Sequence, residues 1–571
     1  MKLMHIKHFA LVAVAMALTA CSAPQNTPQV PASNLPAPNP FLSAGVPSVT
    51  HTDPSASDTQ SVAGPRETGT IAPERIKRVA GGLVTINYAG QIKYSDGVRA
   101  VWNANNNRVA KIRMDGDHWE ELASLPIEGM DYMPPEEVNA HLAGFDRAAD
   151  YAALTAYVGE HLPYYAETQA REAGIYTMAD NRGEFYVLTR GEVLVYGDIK
   201  KGESSSGIEI KRRWAIPDAL KRDAQAGELL KGRMSRLGMK LDAQMLAAFD
   251  NVRDYPLGIN MTYDGHIAFS MIGGAVIIVD RDFARPARHH IIEGEILANS
   301  LSLDEDGGIY VVGDRNMHKL IWTGSALSDA ADLGAWRSPY DFTPVPLPGV
   351  RGGGTGSGTT PTLMGFGEGE DHLVVIADGM ERMNIVAFWR DDIPEDFTQK
   401  DGTRSRRIAG QMAATMGNLE ARYIQTEVSI PVSGNYAFLV NGLAPKNIKP
   451  DLENLLVQGP FLAPPQGVEM MRWDHARHDW ESVWADGSVS APAAIIPLIS
   501  SGSEQAYMIG WDDIGWNITG FGLADGAVET RMSLGRSQQF NGAWGQLQLL
   551  PDGDIFIPGL AGPVRILSAD K

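Results

Sequence analysis

The sequence predicts an all-β protein, a β-propeller of eight four-stranded blades, with seven blades as the alternative. Three observations support this prediction: a short β-prone unit recurs along the chain, a polar strand follows most copies, and a spare strand precedes the first copy. The unit is clearest at residues 301–322, where an apolar run enters a turn at Asp306 and Gly307 and a second run, residues 309–312, leaves it. Asp-Gly between two β-prone runs is a strong hairpin signal.

Eight copies align on that turn and on the apolar run after it. They are residues 94–102, 178–188, 262–269, 301–312, 370–377, 432–440, 502–510 and 550–557. Polar fourth strands are predicted, for example, at residues 119–123, 209–216, 480–484 and 528–534. Four antiparallel strands per copy are what a propeller blade contains. A β-sandwich followed by a second β domain is the alternative, and it explains the even spacing less well.

The last copy has only three strands. Residues 83–88 are a spare β-prone run ahead of the first copy. Pairing that run with the last copy would close the ring and remove an open sheet edge. The sequence therefore predicts that residues 83–88 complete the final blade of a propeller domain spanning residues 76–571.

Loop lengths distinguish the two ends of the predicted propeller. The short-loop rim carries the turns between the first and second and between the third and fourth strands of each blade. The insertion-bearing rim carries the loops between second and third strands and the crossings from blade to blade. Helical insertions are predicted on the insertion-bearing rim near residues 134–172, where Val138, Leu142 and Phe145 share one helical face, and near residues 217–253. Function tends to lie in loops held by a rigid scaffold, so we expect the site on this rim.

Residues 1–20 are predicted to be a secretion signal. Lys2 and Lys7 supply positive charge, and residues 9–17 form an apolar stretch that is too short to span a bilayer. The signal ends in Leu-Thr-Ala-Cys, which resembles the signal of bacterial lipoproteins, and Cys21 is the sole cysteine of the chain. This resemblance implies that Cys21 is lipidated, with palmitate among its acyl chains, and that the anchor makes the membrane a partner. Ser22 resembles the outer-membrane class, which implies a location at the bacterial outer membrane, facing the periplasm or the cell surface.

Residues 21–75 are predicted to be a disordered linker after the lipidated cysteine. Prolines recur there in a background of Ser, Thr, Ala and Gln, and such a segment cannot bury enough apolar surface to order itself. The net charge of the whole chain is −20. A protein this acidic repels nucleic acid, which is therefore excluded as a partner.

Known catalytic motifs are absent from the sequence. There is no Gly-x-Ser-x-Gly motif, no His-Glu-x-x-His motif and no Gly-Lys-Ser/Thr phosphate loop. His475 and His478 lie three residues apart in a predicted turn on the short-loop rim. The sequence favours exposed turn histidines there over a metal site, because no third ligand is evident.

The strongest candidate site is a set of aspartates at the same point of three blades. Asp314, Asp378 and Asp512 each follow a second strand and would lie on the insertion-bearing rim. The simpler explanation is that Asp starts a loop by accepting bonds from nearby backbone N–H groups. The alternative is a polar mouth in which the three carboxylates hold calcium or magnesium, or in which arginines bind a polar ligand. The other candidate binding residues are Arg315, Asn316, Glu381, Arg382 and Asp513.

Two classes of function stay open at this stage. The favoured class is an envelope binding or scaffold module for envelope proteins or a small polar ligand. It is similar in anchor and blade number to the propeller lipoprotein of the outer-membrane β-barrel assembly machinery. The alternative is a metal-assisted hydrolase, similar to the calcium-dependent lactonase propellers, which use Asp, Asn and Glu around the axis. Calcium and magnesium are the candidate cofactors, and the sequence does not decide whether the protein is an enzyme.

Overall fold

Apolar β-prone runs separated by Asp and Gly turns form eight sheets in the computed structural model. The structure describes residues 35–44, 47–83, 87–104, 108–130, 132–162, 176–236, 243, 246, 254–297, 299–343, 356–443, 452–492, 495–542 and 545–569. Seven sheets each contain at least four strands that are consecutive in the chain. The eighth combines the last three strands with one strand from the N-terminal region.

The first half of the chain supplies three early strands and four blades. The early strands are β1 (Thr59–Gln60), β2 (Thr68–Thr70) and β3 (Ile76–Arg78). Blade 1 consists of β4 (Asn87–Lys93), β5 (Arg99–Ala104), β6 (Arg108–Arg113) and β7 (Glu120–Pro126), and blade 2 of β8 (Thr177–Ala179), β9 (Phe185–Leu188), β10 (Glu192–Asp198) and β11 (Ile208–Ala215). Blade 3 consists of β12 (Pro256–Met261), β13 (His266–Met271), β14 (Ala275–Asp280) and β15 (Arg288–Ile291). Blade 4 consists of β16 (Ser302–Leu303), β17 (Gly308–Val312), β18 (Asn316–Trp322), β19 (Leu327–Ser328) and β20 (Trp336–Pro339).

The second half supplies the other four blades. Blade 5 consists of β21 (Thr362–Met364), β22 (Leu373–Ala377), β23 (Asn384–Trp389) and β24 (Ile408–Ala413), and blade 6 of β25 (Val432–Ser433), β26 (Tyr436–Val440), β27 (Gln466–Asp474) and β28 (Asp479–Ser490). Blade 7 consists of β29 (Leu498–Ser500), β30 (Gln505–Trp511), β31 (Trp516–Gly522) and β32 (Val528–Gly535). Blade 8 contains β33 (Gln548–Leu549), β34 (Ile555–Ile557) and β35 (Val564–Ile566). The first strand of each blade is the innermost, and the fourth is the outer strand.

The eight blades form a closed ring. A buried apolar cluster lies between every two neighbouring blades, including blades 8 and 1. Polar bonds join blades 8 and 1 as well: Trp119 Nε1 donates to the Pro563 carbonyl at 3.1 Å, and Arg565 Nη2 donates to the Gly116 carbonyl at 2.7 Å. The prediction of an all-β propeller is therefore confirmed.

Two of the turns on which the copies align share one side-chain bonding arrangement. In blade 4, Asp304 accepts from the Gly308 backbone N–H and from the Tyr310 hydroxyl, both at 2.6 Å. In blade 2, Asp180 accepts from the backbone N–H of Glu184 and from the hydroxyl of Tyr186, at 3.0 and 2.9 Å. In these two blades one carboxylate thus closes the turn and also fixes the next strand.

The strand that closes the ring differs from the predicted one. β3 pairs antiparallel with β35, with Ile76 opposite Ile566, and so becomes the fourth strand of blade 8. Within the predicted run 83–88, residues 84–86 lie outside the described residues, and Asn87 begins β4, the inner strand of blade 1. A strand from the N-terminal region does close the last blade, as predicted, but the predicted residues were wrong. The closing strand β3 is Ile-Lys-Arg, and so short and polar a segment carries no apolar run that would mark it in the sequence.

Residues 47–60, here called the axial segment, run through the centre of the ring. Backbone N–H groups of inner strands in six blades donate to its carbonyl groups, with N···O distances of 2.7–3.1 Å. The six bonds are Gly90 to Pro47, Ala179 to Ser48, Leu303 to Pro54, Leu363 to Ser55, Val432 to Ser57 and Ile499 to Asp58. Side chains connect the remaining two blades, since Asn260 Nδ2 donates to the Pro54 carbonyl at 3.1 Å and the Leu549 N–H donates to Gln60 Oε1 at 2.8 Å.

The axial segment overturns the prediction of a disordered linker for much of residues 21–75. Residues 21–34 lie outside the described residues, but residues 47–60 are mostly buried, and β2 pairs with the outer strand of blade 7. The inner strands of a propeller present unpaired N–H groups to the axis. A polar segment that satisfies them is ordered by hydrogen bonds, so its low apolar content does not leave it unfolded.

The axial segment enters and leaves the ring at the short-loop rim. Before it, Asn181 in the first turn of blade 2 donates its N–H to the Phe41 carbonyl at 2.9 Å. After it, the Pro65 carbonyl accepts from the hydroxyls of Tyr507 and Thr530 in blade 7, at 2.9 and 2.6 Å. The chain therefore closes the short-loop end of the axis before it reaches the outer strands.

Two helices form the first predicted insertion, where a single helical face had been predicted. α1 (Pro135–Arg147) buries Val138, Leu142 and Phe145, and α2 (Tyr151–His161) starts at Asp150, which accepts from the Ala153 N–H at 2.8 Å. Both helices pack on the insertion-bearing rim of blades 7 and 8 together with a third helix, Leu452–Val457. The second insertion contains helix Asp223–Arg236, while most of the helix predicted after Asp242 lies outside the described residues. Within the described part of the chain, no helix has both the length and the apolar character needed to cross a membrane.

Candidate functional site

The three predicted aspartates lie in separate blades of the insertion-bearing rim and do not converge. Asp314 accepts from the Ile296 N–H at 3.1 Å, Asp378 from the Asn384 N–H at 2.8 Å and Asp512 from the Ile514 N–H at 2.9 Å. Each carboxylate therefore holds a loop of its own blade or of the adjacent crossing. Among the residues that the structure describes, no group of three or more His, Cys, Asp or Glu side chains is arranged so that it could hold a metal ion.

Asp378 is the most perturbed of the three. Its side chain is fully buried, and it accepts from the Met380 N–H at 3.1 Å and from the side-chain amide of Asn384 at 2.5 Å. Burial raises the pKa of Asp378 to about 7, although the bonds from Asn384 and Met380 act to lower it. The carboxyl group is thus poised to change charge near neutral pH without any ligand.

The residues beside Asp314 and Asp512 are also bonded locally. Asn316 Nδ2 donates to Glu295 at 2.6 Å, and Arg315 Nη2 donates to the Gly294 carbonyl at 2.5 Å. Asp512 pairs with Arg531 at 2.6 Å, whereas the side chain of Asp513 is exposed. These groups stabilise loop ends and do not form a common charged mouth.

Glu381 and Arg382 have a more specific role than predicted. They hold residues 416–424, here called the docking loop, which crosses from blade 5 to blade 6 on the insertion-bearing rim. Arg382 Nη2 donates to the Leu419 carbonyl at 2.7 Å and also to the carbonyl of Ala421. Glu381 accepts two bonds from Arg422, both at 3.1 Å, and this bond to Arg422 holds the pKa of Glu381 below its usual range.

Both ends of the docking loop are buried, and its tip is exposed. At the start, the Met416 N–H donates at 2.8 Å to Glu469, a buried carboxylate of blade 6. At the end, Ile424 is buried and exchanges backbone bonds with blade 5. Between them the Leu419 side chain is 73% exposed. A large apolar side chain is thus presented to solvent on a loop fixed at three points.

Exposed apolar side chains concentrate on the same rim. The described residues include nine large apolar side chains that are exposed. Six belong to the insertion-bearing rim and three lie elsewhere. The six are Tyr132, Tyr151, Leu246, Leu419, Tyr423 and Ile514, and the three are Ile199, Leu333 and Val528. Two of the six, Leu419 and Tyr423, lie on the docking loop itself.

A buried polar network occupies the axis near the insertion-bearing rim, and sequence reasoning missed it. His51 Nδ1 lies 3.2 Å from both oxygens of Asp58, while Nε2 lies 3.1 Å from the Thr360 hydroxyl and 3.4 Å from that of Tyr176. The hydroxyl of Ser429 also donates to Asp58. Nδ1 thus faces the carboxylate of Asp58, and Nε2 faces the two hydroxyls. The order carboxylate, imidazole, hydroxyl is that of a proton relay.

The backbone around this network is strained. His51, Thr52, Ala56 and Asp58 have φ between 49° and 77°, and they are four of the nine non-glycine residues with positive φ in the described chain. Such a backbone costs about 1–2 kcal/mol per residue and persists only where the surroundings enforce it. One signal was present in the sequence: a polar residue precedes the apolar start of several inner strands. Examples are Tyr176, Asn299, Thr360, Ser429 and Gln546.

The two turn histidines, His475 and His478 of blade 6, contact Asp371 of blade 5. Nδ1 of His475 and Nδ1 of His478 lie 3.3 and 2.9 Å from one oxygen of Asp371, which also accepts from Trp473 Nε1 at 2.8 Å. The bond to Asp371 raises the pKa of His475. Both imidazoles are partly exposed, and both contact Asp371, so this residue of blade 5 is joined to the turn between the third and fourth strands of blade 6.

Comparison with known proteins yields one clear relative. No protein-family model matches the chain. It is 34% identical over 355 residues to an uncharacterized protein of Archaeoglobus fulgidus. The match covers 59% of this chain and 66% of that protein, just under two thirds of its length.

Solved structures with a similar fold are far more distant in sequence. They include quinohemoprotein alcohol dehydrogenase from Comamonas testosteroni, with a TM-score of 0.45, 9% identity, and coverage of 91% of this chain and 76% of that chain. Saccharomyces cerevisiae Sqt1 has a TM-score of 0.42, 9% identity, and coverage of 86% and 97%. The β-propeller domain of Myceliophteria thermophila Cps50 has a TM-score of 0.35, 7% identity, and coverage of 67% and 93%. These likenesses concern the fold alone.

Proposed function

We propose that the protein is a binding module of the bacterial envelope. A lipid on Cys21 holds it at the membrane, and the docking loop on the insertion-bearing rim recognises a protein partner. The observation that carries this proposal is the Leu419 side chain, 73% exposed on a loop whose two ends are buried.

Rigidity is the first argument for recognition at the docking loop. Arg382 holds the loop backbone from blade 5, and Glu469 holds its start from blade 6. A loop that is already ordered loses little conformational entropy when a partner binds. Burying a leucine side chain contributes about 1.5–3 kcal/mol, so a fixed Leu419 is a favourable anchor.

The neighbours of Leu419 also suit a protein partner. The Arg422 guanidinium lies 4.8 Å from the centre of the Tyr423 ring, and both side chains are exposed. Aromatic and Arg side chains around an apolar anchor are enriched in the centres of protein interfaces. The partner then needs an apolar pocket for Leu419 and polar groups around it.

The test compares two exposed leucines. Leu419→Ser removes the anchor, whereas Leu333→Ser removes a leucine that is 48% exposed near the outer edge of blade 4. Wild type, these two variants and Arg382→Gln are cross-linked in the cells that produce the protein, and the cross-linked products are compared. We expect a discrete product to disappear with Leu419→Ser, to weaken with Arg382→Gln and to persist with Leu333→Ser. If Leu419→Ser retains every product, the docking loop is not the recognition element.

The proposed lipid anchor at Cys21 is tested separately. Cys21→Ser removes the acyl acceptor, and each buried acyl CH₂ contributes about 0.8 kcal/mol to membrane binding. The variant should move to the soluble fraction with an unchanged melting temperature, because the described contacts of the fold involve only residues after position 34. A Cys21→Ser protein that still sediments with the membrane would contradict the lipid anchor.

Acid–base catalysis at the axis is the second candidate, and the relay Asp58–His51–Thr360 favours it. It ranks below binding because His51 is only 2% exposed. A panel of chromogenic esters and lactones tests it, with His51→Gln as the inactive control and circular dichroism as the check on folding. The metal-assisted form of this candidate requires calcium or magnesium to raise the melting temperature, and to raise it less in Asp378→Asn. The separation of the three aspartates leads us to expect no such shift.

A further inference from the structure

We infer that the contact of His475 and His478 with Asp371 is a proton-dependent joint, which holds blades 5 and 6 together when the imidazoles are charged and loosens when they lose their protons. The joint lies on the short-loop rim, where Asp371 precedes the second strand of blade 5 and the two histidines lie in the turn after β27 of blade 6. This inference does not depend on the proposed lipid anchor or on the proposed partner.

Three side chains of blade 6 converge on one oxygen of the Asp371 carboxylate. Nδ1 of His475 lies 3.3 Å and Nδ1 of His478 lies 2.9 Å from this oxygen, and Trp473 Nε1 donates to it at 2.8 Å. The Trp473 side chain is fully buried in the core between blades 5 and 6, so the joint continues directly into that core. Histidine is the side chain that ordinarily changes charge between pH 5 and 8, and here two of them share one carboxylate.

His475 has a partner in either protonation state. The Asp371 backbone N–H lies 3.1 Å from Nδ1 and can donate to it when the imidazole is neutral. A proton on Nδ1 replaces that bond by a contact with the Asp371 carboxylate, which is charge-assisted and therefore stronger. Loss of the proton thus exchanges a charged contact for a neutral one, and the joint weakens without leaving the ring unbonded.

His478 is fixed beside the same carboxylate by its backbone and by two aromatic rings. Its φ is 50°, in the left-handed region that few non-glycine residues adopt. The imidazole packs edge-on against Trp389 and Phe397 of blade 5, with ring centroids 5.2 and 6.2 Å away. Lys400 of blade 5 donates to the His478 carbonyl, and its charge is paired with Asp479 at 2.9 Å.

The charges around His475 favour its protonated form. The bond to Asp371 is the largest cause that raises the pKa of His475, and the charges of Asp371, Glu370 and Asp474 act in the same direction, whereas burial opposes them. Arg477, the cation in the same turn, is paired with Asp474 at 2.6 Å. The neighbourhood therefore stabilises a proton on this imidazole.

The joint is strongest in mildly acidic solution. The pKa of His475 is raised above its ordinary value of 6.5, so its contribution is complete below pH 6.5 and is lost as the pH rises through the folded value. Burial acts to raise the pKa of Asp371, but the bonds from His475, Trp473 and His478 hold it below 3.8. The contribution of this carboxylate is therefore present above pH 3.8 and is lost only in stronger acid.

The first test compares melting temperatures at pH 5.5 and 8.5. His475→Gln and His478→Asn are combined in one variant, because neither new side chain takes up a proton and Asn tolerates a positive φ. His289→Gln, at an exposed position on the outer strand of blade 3, is the control. Asp378 is present in every protein, so its own pH dependence cancels in the differences from wild type.

We expect the double variant to melt below wild type at pH 5.5 and to approach it at pH 8.5, whereas His289→Gln follows wild type at both. Hydrogen exchange of residues 365–374, corrected for the intrinsic rate, should be about two- to fivefold faster in the double variant at pH 5.5, as expected for a partly exposed ion pair. A difference from wild type that is equal at both pH values, or absent at both, would overturn the proton-dependent joint.

The second test follows the proton on His475 directly. Its imidazole Cε1–H signal is observed by NMR in protein labelled only at histidine, and it is identified by its loss in His475→Gln. The titration midpoint should lie above 6.5 in wild type and fall toward 6.5 in Asp371→Asn. A wild-type midpoint at or below 6.5 would overturn the inference, even if Asp371→Asn fails to fold.

Discussion

The axial segment and the docking loop are both irregular, and both rely on hydrogen bonds to neighbouring blades, yet their surroundings differ. The axial segment gives its carbonyl groups to strands on all sides, and its side chains are mostly buried. The docking loop is held at its ends and on one side, and it presents Leu419 to solvent. An irregular segment is thus structural when hydrogen bonds to surrounding strands satisfy its polar groups. It is available for recognition when only its two ends are bonded to the fold.

Removing the axial segment should produce the largest effect. Deletion of residues 35–60 leaves inner-strand N–H groups of six blades without their present acceptors, and each such bond contributes about 1 kcal/mol net. We expect a loss of more than about 5 kcal/mol, or no folded protein. Thermal unfolding followed by circular dichroism checks this, with deletion of residues 22–34 as the control that should melt like wild type. Equal melting temperatures for both deletions would mean that the segment is dispensable, as the sequence alone suggested.

Asp58→Asn should weaken the same segment by less. Asp58 accepts from Gln546, Ser429 and His51 within a fully buried network, and an amide cannot accept all three bonds. The expected loss is about 2–4 kcal/mol, measured by urea unfolding. Asp306→Asn, at an exposed turn of blade 4, is the matched control and should change stability little. An unchanged unfolding midpoint for Asp58→Asn would show that the network contributes nothing to the fold.

Asp378 should make the base of the docking loop sensitive to pH. Its pKa is raised to about 7 from 3.8, so the folded protein binds more protons than the unfolded chain between these values. The stabilising contribution is present in full below pH 4 and is lost as the pH rises toward 7, by on the order of 4 kcal/mol. Gln425, just after the docking loop, donates its side-chain amide to the Asp378 backbone carbonyl at 3.0 Å. This bond connects Asp378 to the end of the docking loop.

Melting curves of wild type and Asp378→Asn from pH 4.5 to 8 check this expectation. The variant cannot ionise, so wild type should lose stability relative to it as the pH rises. Asp513→Asn, exposed on the same rim, should follow wild type at every pH. Parallel curves for Asp378→Asn and wild type would exclude a raised pKa at this position.

Leu419→Ser should produce the smallest effect on stability. The side chain is mostly exposed, and surface substitutions of this kind usually change the free energy of unfolding by less than about 0.5 kcal/mol. Differential scanning calorimetry should give melting temperatures that match for Leu419→Ser and wild type. A clear loss of stability would mean that Leu419 supports the fold and would separate it from the recognition role.

The candidate site was only partly predictable. The insertion-bearing rim was identified from loop length, and Glu381 and Arg382 were identified from their position after a strand. What they hold was not foreseeable, because Leu419 lies 37 residues beyond Arg382 in the chain. Asp314, Asp378 and Asp512 were selected because each follows the second strand of its blade. In the structure that repeated position reflects a loop-starting role, in which Asp accepts from nearby backbone N–H groups. The signal and lipid anchor stay predictions, since residues 1–34 lie outside the described residues.

The blades and the two rims follow from local patterns in the chain. Turn carboxylates such as Asp180 and Asp304 act on residues four to six positions away, so their pattern is local and visible in the chain. The strand that closes the ring and the segment that fills its axis depend instead on contacts between distant parts of the chain. The N–H groups that order the axial segment belong to strands up to several hundred residues away and exist as a set only once the ring has formed. The composition of the axial segment predicts disorder, yet the segment is ordered inside the ring, because hydrogen bonding to the ring takes the place of apolar burial.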